Sequence, residues 1–179
     1  MYYIYQAAER AAEHFQTRDP FRLLKGIGAT IRYSYAFEAD GLKGFSTIIG
    51  RVMFAVINGN LSEHERKIVA GHEAAHLILH KDEIMQSASK TMKDFDIYNN
   101  TGKLECQANY FLADFLVSDK DVIESVTDEN NDYFSSCREL QIPPPLFAFK
   151  LHSMMWRDYH INSPVSLQSG FLGSNKDMW

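Results

Sequence analysis

The chain has 179 residues, of which 45% are hydrophobic and 23% are charged, so its length and composition are those of one globular domain with a hydrophobic core. Its formal net charge of −5 at pH 7 argues against binding nucleic acid through a basic surface. The sequence has no apolar run of membrane-spanning length, no basic and apolar secretion signal and only two cysteines, so we expect a cytoplasmic protein without a disulfide framework.

Two helices and three strands are predicted before residue 60. The elements are a helix over 2–16, a short helix over 20–25, a strand over 30–35 and a β-hairpin over 45–58. Asp19 is placed to cap the second helix, because Pro20 suits a first helical position. Gly50 and Arg51 mark the turn of the hairpin. We expect these strands to form a small antiparallel three-stranded sheet.

Residues 61–80 are predicted to form one amphipathic helix. Ser62 is followed three residues later by Glu65, which is the pattern of a capping box, in which each side chain accepts a hydrogen bond from the other residue's backbone amide. His72 and His76 lie on the apolar stripe of this helix. The sequence therefore places two histidines on the face that turns inward.

The run His72-Glu-Ala-Ala-His76 has the spacing of a metal site. Residues four apart on a helix are separated by about 40° and about 6 Å of rise, so the two rings can hold one ion between consecutive turns. Glu73 lies where its carboxylate can reach a water on that ion instead of the ion itself. This is the HExxH arrangement of a zinc hydrolase. The alternative is a pair of histidines that are only packed and hydrogen-bonded.

Four more helices are predicted after a polar, loop-like stretch over 81–102. The helices cover 103–117, 119–126, 132–141 and 146–159. Three consecutive prolines, 143–145, break the chain between the last two helices. We expect one domain over 1–160, followed by an irregular tail over 161–179.

A third ligand is needed, because a catalytic zinc site of this type adds a carboxylate from another element to the two histidines. A metzincin is excluded, since Leu79 and Asp82 stand where that class has Gly and His. The downstream acids are Glu83, Asp94, Asp96, Glu105 and Asp114. Glu105 is favoured because it lies on an apolar helical stripe, where burying an acid is costly unless a cation pairs with it. The alternative is an unpaired acid at a fraying helix start.

Three neighbouring residues are given supporting or passive roles. Asn109, one turn after Glu105, is placed to hydrogen-bond the Glu105 carboxylate. His80 lies about 12 Å along the axis from His72, so it is too distant to share the metal and is expected to contact the ligands or lie at the surface. Cys106 is rotated by about 100° from Glu105 and is expected to be a packed thiol.

These motifs together resemble the ImmA/IrrE family of metallo-endopeptidases. The resemblance is carried by Asn58, Leu61-Ser62, His72-Glu-Ala-Ala-His76, Leu79-His80 and Glu105-Cys-Gln-Ala-Asn-Tyr-Phe111, with Asp19-Pro20 and Lys43-Gly44-Phe45 before them. It extends over about residues 15–118. The sequence departs from the family pattern at Ala74 and Ala75, where Leu and Gly are usual, and at Ser118, where Pro is usual.

The resemblance implies that His72, His76 and Glu105 bind the metal and that Glu73 is the catalytic acid/base. Zinc is the expected ion, with manganese as the alternative for a site with a carboxylate ligand. The expected fold is α+β, a small antiparallel sheet packed on a helical bundle with zincin-like (gluzincin-type) active-site helices. The substrate is expected to pair with strand 52–58, taken as the edge strand that precedes the motif helix.

The expected function is a zinc endopeptidase that makes a selective cut in a regulatory protein. The resemblance implies that this protein is a helix-turn-helix repressor of a mobile element or a stress response, and no direct contact with nucleic acid or membrane is expected. The alternative is a non-catalytic, metal-binding antirepressor or toxin–antitoxin partner.

Overall fold

The computed structural model describes residues 2–38, 41–87 and 101–161. Within these ranges the chain forms eight helices and three strands. They are α1 Tyr2–Phe15, α2 Pro20–Gly26, β1 Thr30–Ser34, β2 Gly44–Ile49, β3 Val52–Asn58, α3 Glu63–Leu79, α4 Lys81–Ser87, α5 Thr101–Leu116, α6 Asp119–Thr127, α7 Tyr133–Glu139 and α8 Pro144–Met155. The small sheet packs against several helices, so the predicted α+β class is confirmed. None of the helices described here is both long and apolar enough to cross a membrane.

The sheet is mixed, so the predicted all-antiparallel sheet is wrong. Its strand order is β1-β3-β2. β2 and β3 form the expected antiparallel hairpin, with Ser46 opposite Ala55. β1 runs parallel to β3, with Thr30 opposite Phe54. Alternation along a strand predicts which face is buried, but it does not predict which strand becomes the neighbour.

Asn58 explains how this strand order is held. The chain leaves β1 and enters β2 at the same end of the sheet, and β3 lies between them. At that end the side-chain NH2 group of the buried Asn58 donates to the backbone carbonyl oxygens of Glu38 and Leu42, at 2.8 and 3.0 Å. These bonds satisfy backbone groups of the connecting segment, which would otherwise lose their hydrogen bonds on burial.

The central position of β3 also corrects the predicted substrate edge. β3 pairs on both sides, so strand 52–58 is not an edge strand. β2 is the edge strand next to α3. The backbone N–H of Asn58 donates to the backbone carbonyl of Lys43, so these two residues form a hydrogen-bonded pair of the antiparallel ladder. By the alternation of an antiparallel ladder, the backbone groups of Gly44, Ser46 and Ile48 point away from β3.

The helix α3 forms at its predicted place and with its predicted cap. The Ser62 hydroxyl accepts from the Glu65 amide at 3.2 Å, and the Glu65 carboxylate accepts from the Ser62 amide at 2.9 Å. The helix packs closely against α5 at Gly71, where an added Cβ would lie 2.3 Å from Leu112 Cδ1. A larger residue there would require the Leu112 side chain to shift.

Several boundaries differ from the predictions. Residues 81–87 form α4 instead of a loop, because the buried Ile84 anchors this short helix against the domain. The last helix begins at Pro144, since prolines are compatible with the first helical turn. Residues 101 and 102, also predicted as loop, begin α5. Residues 88–100 of that loop and nearly all of the predicted tail, 162–179, lie outside the described residues.

A buried ionic network joins α5, α6 and α8. The fully buried Lys150 ammonium lies 3.0 Å from Asp114 and 2.8 Å from Asp119, and Asp114 also accepts from the Ser153 hydroxyl at 2.6 Å. Arg157 makes a bidentate pair with Asp119 and covers the ring of Tyr5 at 3.6 Å. Each buried charge thus has an opposite partner, as low-dielectric surroundings require.

We expect Lys150→Met to destabilise the fold by about 3 kcal/mol, because the change leaves a carboxylate buried with too few partners. Denaturant unfolding of the purified protein measures this loss. The matched control is Lys120→Met, since Lys120 is exposed and, among the described residues, its ion pair is with the exposed Glu124. Equal, small changes in both variants would contradict the structural role of the network.

Asp119 gives the network a pH dependence. Burial alone would raise its pKa, but hydrogen bonds and charges from Arg157 and Lys150 lower the pKa to about 2. An unfolded Asp has a pKa of about 3.9, so this stabilisation is complete above that pH and is lost as the pH falls toward about 2. We expect Asp119→Asn to flatten the fall of unfolding free energy between about pH 5 and about pH 2. Parallel pH curves for both proteins would exclude this assignment.

Candidate metal centre

The structure brings His72, His76 and Glu105 together. One possible ligand atom from each residue lies within 4.8 Å of the other two. His72 Nε2 is 3.1 Å from His76 Nε2 and 2.9 Å from Glu105 Oε2, and His76 Nε2 is 3.3 Å from Glu105 Oε1. Both histidines therefore turn the same ring nitrogen toward the carboxylate.

This donor set fits a divalent metal ion. Two imidazole nitrogens and one carboxylate are the ligands of a familiar type of catalytic zinc site, which leaves one coordination position open. Burial alone would raise the pKa of Glu105, but hydrogen bonds and charge interactions with His72 and His76 hold it well below its usual range. Glu105 is therefore ionised, as a ligand must be.

The second ring nitrogen of each imidazole, Nδ1, makes a hydrogen bond to a residue outside the ligand group. His72 Nδ1 lies 3.0 Å from the buried Asn109 Oδ1, and His76 Nδ1 lies 3.0 Å from His80 Nδ1. The sequence predicts a bond from Asn109 to the Glu105 carboxylate, and the bond described here for its side-chain oxygen is with His72. Of the two alternatives for His80, contact with the ligands is the one found, and the residue is only 3% exposed.

Two further contacts extend from His80 and were not predicted. His80 Nε2 lies 2.9 Å from Gln107 Oε1, and Gln107 Nε2 donates to the Tyr3 hydroxyl at 2.7 Å. The repeat of histidines at positions 72, 76 and 80 signals a ladder along one helix. Nothing in the sequence signals that Gln107 and Tyr3 join it, because they lie on two other helices.

Glu73 is buried beside the cluster, with 5% of its surface exposed. Burial raises its pKa to about 7, and the opposing influence of His76 and of a hydrogen bond with Ser46 does not cancel this effect. Gly44 allows the close approach of β2, since a Cβ there would lie 2.5 Å from Val69 and 3.4 Å from Glu73 Oε1. The edge strand therefore passes directly over the Glu73 carboxylate.

A cavity of about 340 Å³ opens above these residues, between β2, α3, α4 and α5. Its floor contains His72, Glu73, His76 and Glu105. Half of its remaining lining residues have large apolar side chains: Leu42, Phe45, Val69, Ile84 and Leu104. The cavity joins an ionisable floor to apolar walls, which is typical of a binding site.

The other acidic candidates do not join the cluster. Glu83 lines the same cavity from α4 but is exposed and outside the ligand group. Asp114 belongs to the ionic network with Lys150. Asp94 and Asp96 lie outside the described residues. Cys106 is half-buried and burial raises its thiol pKa, as expected of a packed thiol.

A His/Glu cluster of this kind, beside a buried glutamate in an α+β fold, is typical of metallopeptidases. Residues 29–152 match Peptidase_M78, described as the IrrE N-terminal-like domain, and the chain belongs to this family. It is also 29% identical over 114 residues to a Bacillus phage phi105 protein named uncharacterized immunity region protein 2. The matched stretch covers 63% of this chain and 67% of that relative. The resemblance to the ImmA/IrrE family is thus confirmed.

We expect the purified protein to bind one divalent ion per chain and Glu105→Ala to lower its occupancy, because the change removes one of three converging donors. Elemental analysis before and after dialysis against a chelator measures this. Glu83→Ala is the matched control, since it removes an acid from the same cavity outside the ligand group. Unchanged occupancy in Glu105→Ala would exclude Glu105 as a ligand and leave Asp94 or Asp96 as candidates.

Proposed function

We propose that this protein is a zinc-dependent endopeptidase that makes a selective cut in a regulatory protein. The observation that carries the proposal is the convergence of His72, His76 and Glu105 beside the buried Glu73, at the floor of a cleft. A cluster that only stabilised the fold would not need an open cavity above it. Membership of a peptidase family supports the same conclusion.

Zinc is the preferred ion for two imidazoles and one carboxylate, and manganese is the alternative. An ion held by His72, His76 and Glu105 supplies Lewis acidity, which polarises a carbonyl group and acidifies water. Asn109 and His80 keep the two imidazoles turned toward it through their Nδ1 atoms.

Glu73 supplies the proton transfers. Its carboxylate lies beside the ligand cluster, where it can take a proton from the attacking water and return it to the leaving nitrogen of the peptide bond. The Ser46 hydroxyl bonds the same carboxylate and limits its rotation. Burial also keeps bulk water from competing for that proton.

The edge strand β2 is the proposed docking strand for the substrate. The backbone groups of Gly44, Ser46 and Ile48 face away from β3, so an extended peptide can add to the sheet there. Such pairing places the peptide beside Glu73 with little demand on its sequence. The apolar walls of the cavity then favour an apolar side chain next to the cut bond.

The proposed substrate is a helix-turn-helix repressor. The relative from phage phi105 is named as an immunity region protein, which supports a target in the control of a mobile element. The net charge of −5 favours contact with a protein partner over direct contact with nucleic acid. A selective cut also fits a site that takes an extended segment, because a folded chain offers few of these.

We expect the metal-loaded protein to cut a repressor encoded beside its own gene once and to leave casein largely intact. Glu73→Gln keeps the size of the side chain but cannot accept the proton, so it should retain metal and lower the cleavage rate by about 10²–10⁴-fold. Mass spectrometry of timed digests locates the cut and measures the rate.

Glu83→Gln is the control, since it makes the same change at the edge of the same cavity. Equal rates for Glu73→Gln and the parent protein would identify another base or a contaminating protease. A stable complex with the repressor and no cut would support the non-catalytic antirepressor instead.

A further inference from the structure

We propose that His80 and Gln107 are positioning residues for His76, joined in a hydrogen-bond chain that runs from the metal centre to Tyr3 on α1. The inference rests on the proposed metal site and concerns how that site is held. It assigns a role to three residues that lie outside the ligand group.

The four side chains form an unbroken series of contacts across three helices. His76 Nδ1 lies 3.0 Å from His80 Nδ1, His80 Nε2 lies 2.9 Å from Gln107 Oε1, and Gln107 Nε2 lies 2.7 Å from the Tyr3 hydroxyl. The series begins on α3, passes through α5 and ends on α1. All three distances are those of ordinary hydrogen bonds.

The donor and acceptor of each bond in the hydrogen-bond chain follow from the bond between His76 and His80. His76 turns Nε2 toward His72 and Glu105, so a metal there takes the lone pair of Nε2 and the ring proton must reside on Nδ1. His76 Nδ1 then donates, and His80 Nδ1 must accept. A neutral His80 therefore carries its proton on Nε2, which donates to Gln107 Oε1.

Gln107 fixes the tautomer on which this depends. An acceptor at His80 Nε2 favours the proton on that nitrogen, which leaves Nδ1 free to accept from His76. Without Gln107, His80 could shift its proton to Nδ1, and two N–H groups would then face each other across 3.0 Å. Gln107 thus acts on His76 through His80, although it touches no metal ligand in the chain.

The two metal-binding histidines are held by different elements. Asn109 on α5 accepts from His72 directly, whereas His76 depends on the next turn of its own helix. His80 is 3% exposed, so water offers little replacement if its acceptor nitrogen is lost. Tyr3, at the far end, belongs to α1, which lies before the family match at residues 29–152.

The role of the hydrogen-bond chain is tested by measuring zinc affinity, in competition with a chromophoric chelator. His80→Leu removes the acceptor and should weaken zinc binding by about 10–100-fold, the usual effect of losing a group that orients a ligand. Gln107→Leu should weaken it less, because His80 remains. His80→Asn places an oxygen near the position of Nδ1 and should recover most of the affinity.

His64→Leu is the matched control, because it makes the same substitution at an exposed position of α3 that is not part of the hydrogen-bond chain. The thermal midpoint of each metal-free variant separates positioning from folding. If His80 only stabilised the fold, His80→Leu would lower that midpoint, and the zinc affinity of the folded protein would be unchanged. This result would overturn the proposal.

Nitrogen-15 histidine NMR of the zinc-loaded parent protein tests the direction of the bonds without any substitution. We expect the proton on Nδ1 of His76 and on Nε2 of His80. A proton on His80 Nδ1 would overturn the proposal. Failure of the parent protein to bind zinc would instead refute the proposed metal site, so the two failures are distinguishable.

Discussion

The contact between α3 and α5 is the constraint on which the candidate site depends. Gly71 lets α3 meet Leu112 of α5 and also Pro20, the first residue of α2, whose Cγ would lie 3.2 Å from an added Cβ. At this separation the side chains of His72 and Glu105 meet at 2.9 Å. A shift of about 1 Å between the helices would open the cluster, since such a site tolerates little misplacement. The tight packing therefore sets the geometry of the chemistry.

The same two helices bury several polar side chains, and each of those described below has a hydrogen-bond or ionic partner. At one end of α5, Asn109 and Glu105 meet the histidines of α3. At its other end, Asp114 meets Lys150 of α8. Within the described residues, no buried side-chain nitrogen or oxygen lacks a hydrogen-bond partner. Matched burial of this kind favours one arrangement of the helices, because a displaced helix would leave charges unpaired.

Local sequence patterns predicted those parts of the structure that depend on near neighbours along the chain. The capping box of Ser62 and Glu65, the inward face of α3 and the β2–β3 hairpin all follow from short spacings. The convergence of Glu105 with the histidines was also predicted, although its side chain is 40% exposed and so less buried than the apolar stripe suggested. The roles of these residues in binding and catalysis remain proposals.

Features set by distant contacts were not predictable in the same way. No periodicity encodes the parallel pairing of β1 with β3, or the bond from the Asn58 side chain to the Glu38 carbonyl oxygen 20 residues earlier. The helix α4 was missed because its polar sequence gives a weak helical signal, and the buried Ile84 holds it by packing. Asn109 was placed correctly near the site, but its partner depends on which ring nitrogen faces α5.

The helix α1 lies outside the span that matches the family, yet it packs against α5. Near one end, the Tyr3 hydroxyl accepts from Gln107. At the other, Arg18, which follows α1, pairs with Glu9 and donates to the carbonyl oxygens of Asp114 and Phe115. These contacts fix α5 along its length, and α5 carries Glu105. The support of the site therefore extends beyond the residues that define the family, because a ligand is only as well placed as the helix that carries it.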